Sequence, residues 1–514
     1  LDLNRILIWF TLTAGAVLAV RAWRARRSGW AGVSLAVVAV TLGCLRLWPD
    51  RAGVVGGALL AILVVLPLTV YRRLTRAALQ RRYGAARRMA RLLRWLHPMD
   101  GFRELPHILD AMATGGPAAA ARAAQQTAAT RTGFGRLGTA LLFRMNNQWA
   151  ELQDWIESNL SDDELRRDPN LSTVYIRSFG ELGDPNGMLA AYDRLYAGGA
   201  PPGGALQAGM VRLMPLAFCG REQAMSHLFR GPLAVYPDVV RRFWLATAAL
   251  ANGADGARAE LESLREDEND ALTTASIAWR LDHPVPQALT PESAAILDEI
   301  ERAIDQEARF GARAPERRAA WTTYLLVAAN LTVFVIQMAR GGSTNFDTLW
   351  RMGAMAPSAV MQGEWGRLFY ATLLHYGWLH LAMNMVALLV LGPFVERSLG
   401  RVRYAAVYVL AGVGAMAGIL ALWRLGLHGD HLVVGASGSV MGLIGATGAV
   451  LLRGWARERA AVARRRLGFV VFVVAFQVVF DLTSTDISFI GHVGGLIVGF
   501  VAASLVRHPA SERG

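Results

Sequence analysis

A serine, a histidine and an asparagine, all costly to bury in hydrocarbon, lie in the last third of this chain inside otherwise apolar segments. Gly435-Ala436-Ser437-Gly438 opens one such segment and Gly491-His492-Val493-Gly494-Gly495 opens another, while His380 and Asn384 stand four residues apart in a third. A hydroxyl, an imidazole and a carboxamide inside a membrane mark a functional site by default. Together they could supply a nucleophile, its base and an oxyanion donor.

Each residue also has a plainer reading. Ser437 lies between small neighbours at a predicted helix start, where free N–H groups and the positive end of the helix dipole favour an oxyanion. Small residues in membrane helices also mark simple helix packing. His492 alone could be an interfacial residue. Gly495 and Gly499, four apart, give its helix a smooth face that would let it press against the Ser437 helix. His380 and Asn384 are one turn apart and share a face, so both can point at one site. Ser439 lacks flanking glycines on both sides and reads as a packing residue.

The elements that must hold these groups are membrane helices. Of 514 residues 53% are hydrophobic, and the mean hydropathy is +0.30. The apolar residues gather in runs at both ends of the chain, which indicates a membrane protein with a soluble middle. The net charge is +13, and every one of the 53 basic residues is arginine. Without lysine there is no Ser–Lys protease, Schiff-base enzyme or P-loop NTPase. The arginines flank the apolar runs, the positive-inside pattern, so no nucleic-acid partner is expected. Cys44 and Cys219 are too far apart in sequence to suggest a disulfide framework or a cysteine metal site, and neither metal nor cofactor is expected.

Three apolar stretches come first, near residues 6–20, 30–47 and 54–71. Arg21, Arg24, Arg26 and Arg27 follow the first, the reverse of a secretory signal, so it reads as a span whose N-terminus lies outside. Residues 1–71 are thus an N-terminal membrane region. Residues 72–315 show three- and four-residue apolar spacing with Gly, Pro and Asp turns, an α-helical cytosolic domain. Phe179–Leu195 and Phe243–Leu264 each read helix, turn, helix; a degenerate tetratricopeptide (TPR)-type array and a plain bundle both fit. Pro286–Arg318 is the charged linker. Residues 316–508 hold six predicted spans, at 321–338, 368–395, 404–425, 437–452, 467–482 and 489–506. Arg313, Arg317 and Arg318, then Arg397, Arg401 and Arg403, then Arg453, Arg457, Arg459 and Arg464–Arg466 all fall on one side if the first span leaves the cytosol. Ser437 then faces the opposite side.

In order, the chain carries Gly363-Glu364 … Arg367-Leu368 … Leu374-His375 … His380-Leu381 … Asn384-Met385, then Leu391-Gly392, Glu396 and Gly400, then Gly435-Ala436-Ser437-Gly438, and lastly His492 with Gly495 and Gly499. In this order and across six spans, residues 321–506 resemble the rhomboid intramembrane serine proteases. The resemblance implies an all-α membrane protein with a six-helix bundle at its C-terminus. It implies Ser437 as nucleophile and His492 as base, a dyad without an acid, with the Ser437 N–H, His380 and Asn384 forming the oxyanion hole. It further implies His375 as a structural histidine beneath the loop, and Arg367 with Glu396 as a loop-anchoring and helix-end pair. Two positions depart from the family pattern. Trp365-Gly366-Arg367 replaces Trp-Arg, and Met441 stands where an aromatic ring usually stacks on the catalytic histidine; a thioether can also contact a ring.

The implied activity is cleavage of membrane-anchored proteins near the non-cytosolic face, by an enzyme of a bacterial inner membrane. Substrates would be transmembrane segments with helix-breaking residues, since a stable helix hides its carbonyls. The competing readings are a catalytically silent relative that binds membrane clients, and a transporter, whose inverted repeat is absent. Residues 72–315 are expected to bind a protein partner or regulate access.

Overall fold

The computed structural model describes residues 3–97, 101–114, 117–127, 133–197, 199–268, 271–283, 288–311, 319–483 and 489–506. Among them the chain is helical, and extended pairing is limited to one antiparallel bridge between Met355 and Val433. The expected linker prolines 286 and 315 and the cluster Arg313, Arg317 and Arg318 lie outside the described residues. Two compact units emerge, one running to Asp305 and the other from Gln306 onward. Among the described residues seven helices are long and apolar enough to cross a membrane, so the protein is integral and multi-pass.

The first unit opens with three such helices, Leu3–Arg24, Ser28–Leu47 and Ala52–Leu79. The third carries a π turn at Ala61–Val65, just before Pro67. Proline cannot donate to the preceding turn, and a widened turn relieves that mismatch. The tie between first and third helices is polar: Asn4 Oδ1 accepts from Gly53 N (2.7 Å) and Asn4 Nδ2 donates to Pro49 O (2.8 Å).

Further on, the same unit is a run of helical hairpins. Pro169–Glu181 turns into Pro185–Tyr196, Ala205–Phe218 into Glu222–Arg230, and Asp238–Ala251 into Ala257–Asp267. Their first helices, with Ala271–Asp282 as the next, follow one another at a period of about 34 residues. Each first helix packs on the next first helix, as in a stacked array. Asp-Pro pairs start two of the helices: Asp168 and Asp184 cap with their carboxylates, and the following prolines occupy the first turn. Their core encloses charge. Glu181 bridges Arg177 (2.8 Å) and Arg280 (2.6 Å), all three buried, and Arg177 also lies over the Trp149 and Trp244 rings.

The second unit contains the six-helix bundle, whose helices are numbered here α1 (Trp321–Ala339), α2 (Gly377–Leu399), α3 (Arg401–Arg424), α4 (Ser437–Glu458), α5 (Ala461–Leu482) and α6 (Phe489–Leu505). The second predicted span, 368–395, is not continuous. Arg367–Tyr370 and Ala371–Leu373 form two short turns, Leu374 is extended, and α2 starts only at Gly377. The break follows from Gly377, which adopts φ +83°, and from His375, whose backbone is pinned to Gln337. Two bundle helices fall short of a full apolar span. Arg464–Arg466 and Asp481 make α5 too charged, and α6 has 17 residues.

Between α4 and α6 the backbones meet with almost nothing between them. A Cβ on Gly495 would strike the Gly438 carbonyl, one on Gly499 the Gly442 carbonyl, and one on Gly445 the Leu496 carbonyl. At the far end Arg453 of α4 donates to the carbonyls of Ala503 (3.0 Å), Ser504 (2.9 Å) and Val506 (3.0 Å), which closes the C-terminus of α6. The two helices therefore run parallel and in fixed register. Gly499→Ala should force them apart and cost about 1–3 kcal/mol, seen as a drop in the thermal midpoint of the purified protein. Gly468→Ala on α5, where a Cβ meets nothing within 4 Å, should leave the midpoint in place. Equal midpoints for both variants would contradict this packing account.

Candidate active site

Ser437 is positioned by the loop that precedes α4. Met355 and Val433 exchange backbone hydrogen bonds (3.1 and 2.8 Å), and Gly435 N donates to Ala371 O (2.9 Å). Gly435 takes φ +133°, a conformation costly for any other residue, and the chain then turns into the helix at Ala436. No side chain caps α4, and the first N–H to return to its own helix is that of Val440, on Ala436 O (2.9 Å). The first-turn N–H groups, that of Ser437 among them, therefore point out of the helix start. Ser437 is half-buried.

His380 stands across from it. A Cβ built on Gly435 would lie 2.9 Å from His380 Nε2 and 3.7 Å from Ser437 Oγ. Both groups thus border the small space that this glycine leaves open. Asn384, one turn further along α2, is buried, and its Nδ2 has no hydrogen-bond partner. A buried amide N–H left without an acceptor costs about 1–3 kcal/mol, the state expected of a donor awaiting a ligand. His375 is fully buried beneath, its ring edge-on to His380 at 5.3 Å. Gln337 of α1 holds the His375 backbone at both N–H and C=O (3.1 Å each).

His492 reaches the site through the glycine contact. A Cβ on Gly438 would lie 3.6 Å from the Gly491 carbonyl, so the residues adjoining Ser437 and His492 touch. The His492 ring is buried, and its Nδ1 lies 2.7 Å from Asp481 Oδ2 on α5. Gln477 Nε2 donates to the other carboxylate oxygen at 2.7 Å. The histidine therefore has an acid partner, contrary to the acid-free dyad implied by the resemblance. In the sequence it is only a carboxylate at the end of an apolar span, one turn after a glutamine, which reads as interfacial.

The remaining sequence-derived residues lie around this centre. Arg367 is buried and pairs with Glu364 (2.7 Å), donates to Trp350 O (2.9 Å) and Ala354 O (2.8 Å), and covers the Trp350 ring. A Cβ on Gly366 would lie 2.8 Å from the exposed Tyr370 ring, which could swing aside. The expected Arg367–Glu396 pair does not form: Arg367 takes Glu364 from its own turn, and Glu396 accepts from Thr322 N (3.0 Å), Thr323 N (2.9 Å) and Thr323 Oγ1 (2.8 Å), which caps the start of α1. Met441 is buried one turn after Ser437. Ser439 instead faces α3, against Gly412.

A six-helix membrane bundle with a serine at an uncapped helix start and a histidine on the neighbouring helix defines the class. The Rhomboid domain model matches residues 362–509. YdcA, a rhomboid protein of Bacillus subtilis, is 31% identical over 154 residues, a match covering 30% of this chain and 73% of YdcA. The chain belongs to the rhomboid family. The rhomboid protease GluP of Bacillus subtilis is 34% identical over 189 residues, 36% of this chain and 35% of GluP. The rhomboid protease AarA of Providencia stuartii is 29% identical over 208 residues, 36% of this chain and 73% of AarA. The chain thus spans about a third of the length of GluP.

Removing the Glu396 carboxylate would leave the first N–H groups of α1 buried without an acceptor. Glu396→Ala should cost about 1–3 kcal/mol and speed amide hydrogen exchange in the first turns of α1. Unchanged protection there would show that the cap is not what holds that helix end.

Proposed function

We propose that this protein is an intramembrane serine endopeptidase that cleaves membrane-anchored proteins near the non-cytosolic face. The observation that carries this reading is the uncapped helix start bearing Ser437 with the His380 ring across the small space left by Gly435; the unpartnered amide of Asn384, one turn further along the His380 helix, supports it. The names of GluP and AarA as rhomboid proteases support it.

In this reading Ser437 Oγ attacks the scissile carbonyl while His492 Nε2 takes its proton. The carbonyl oxygen, now an oxyanion, is held by the Ser437 N–H, Asn384 Nδ2 and His380 Nε2. His492 passes the proton to the leaving amine, and the C–N bond breaks to leave a Ser437 ester. Water, deprotonated by His492, then hydrolyses the ester and frees Ser437. His380 must be uncharged to donate without repelling a protonated His492. The half-buried serine suits a site that water can reach from one membrane face. The substrate class is transmembrane segments that unwind readily, because an intact helix keeps its carbonyls bonded.

The arginine-rich flanks support a cytosolic placement of residues 72–315 and an opening of the site on the other side of a bacterial inner membrane. The stacked hairpins of that region support a role in binding a protein partner.

The test is cleavage of a single-span reporter by the purified full chain in detergent. Ser437→Ala and His492→Ala should each abolish measurable cleavage. Asn384→Ala should lower kcat by roughly 10- to 10³-fold, the range for one oxyanion donor, with little change in KM. Cleavage that survives in Ser437→Ala would overturn the assignment.

A further inference from the structure

We propose that Asp481 is a positioning residue for His492, fixing the ring's orientation and keeping its proton on Nδ1 so that Nε2 is the free base. This rests on the reading of His492 as base to Ser437. Three observations carry it. The first is the 2.7 Å contact between Asp481 Oδ2 and His492 Nδ1. The second is burial: the Asp481 side chain is 1% exposed and that of His492 10%. A carboxylate is not carried into such a place without a partner. The third is the orientation of the acid itself. Gln477, one turn earlier on α5, donates to Oδ1 at 2.7 Å, which leaves Oδ2 for the histidine.

The chemistry follows from which nitrogen carries hydrogen. A neutral imidazole has one N–H, and an ionised carboxylate on Nδ1 draws that hydrogen to its side. Nε2 then presents its lone pair. When it takes the Ser437 proton, the imidazolium that forms lies against a negative charge, so the charged intermediate is stabilised where it arises. No proton passes to Asp481. The helix pairing does the rest: Gly491, next to His492, is held at Gly438, next to Ser437. The ring is thereby tied to α5 at Nδ1, while the backbone beside it lies against α4.

A purely structural pair tying α5 to α6 would show the same distance, so the test must read more than stability. The full chain in detergent would be compared with Asp481→Asn and Gln477→Leu. The readouts are the rate of Ser437 acylation by a fluorophosphonate, the kcat and KM for the reporter, the thermal midpoint, and the ¹⁵N spectrum of histidine-labelled protein. Asp481→Asn should slow acylation and kcat at least about tenfold, towards the ~10⁴-fold found when the acid of a Ser-His-Asp triad is amidated. KM should stay within about twofold. The ¹⁵N signals assigned to His492 should leave the Nδ1–H pattern seen in the parent. Gln477→Leu should show the same changes, smaller in size. Acylation within about twofold of the parent, or a loss matched by a fall in the thermal midpoint with an unchanged ¹⁵N pattern, would overturn the proposal. If the parent itself is not acylated, the protease reading fails. The ¹⁵N arm then decides on Asp481 alone: Nδ1–H present in the parent and lost in Asp481→Asn sustains the positioning role, and its absence from the parent refutes it.

Discussion

The approach of α4 to α6 without side chains between them is the constraint on which this protein's candidate site depends. Gly438, Gly442 and Gly445 on one helix meet Gly495, Gly499 and the Leu496 carbonyl on the other. Lipid tails give no hydrophobic push to bring such helices together, so close packing must supply the attraction. Small residues are the means, and Arg453 locks the register by binding three carbonyls at the end of α6. With register fixed, the backbone next to Ser437 is held against the backbone next to His492. The placement of the proposed pair is a product of backbone contact.

Several buried polar groups elsewhere in the bundle follow the rule that buried donors and acceptors find partners. Glu396 answers the start of α1, Arg367 answers the carbonyls of Trp350 and Ala354, and Gln337 answers the backbone at His375. The Asn384 amide has no such partner, and the proposed function gives that unmet donor a use.

Much of this was legible in the sequence, and the reasons are physical. Costly residues in apolar segments advertise themselves, so Ser437, His492, His380 and Asn384 could be picked out one by one. The glycines at 495 and 499 announced a smooth helix face. The break before α2 was not legible, because Leu368–Val395 has continuous apolar character, and what interrupts it is a tertiary contact from Gln337 to His375 together with the turn at Gly377. Asp481 was missed for another reason. A single acidic residue at a span end reads as interfacial, and only the folded chain brings α5 within 2.7 Å of His492. In the first unit a recurrence near 34 residues was legible from the spacing of Phe179–Leu195 and Phe243–Leu264, and the first helices of the folded chain follow one another at about that period.

The most direct measurement of the central claim, that the glycine contact makes Ser437 the reactive group, is to locate a fluorophosphonate adduct by peptide mass spectrometry of the labelled full chain. The account predicts one adduct, on Ser437, with Ser439 unmodified although it lies only two residues away in the same helix. An adduct on Ser439, or labelling spread over both serines, would contradict the geometry proposed for the site.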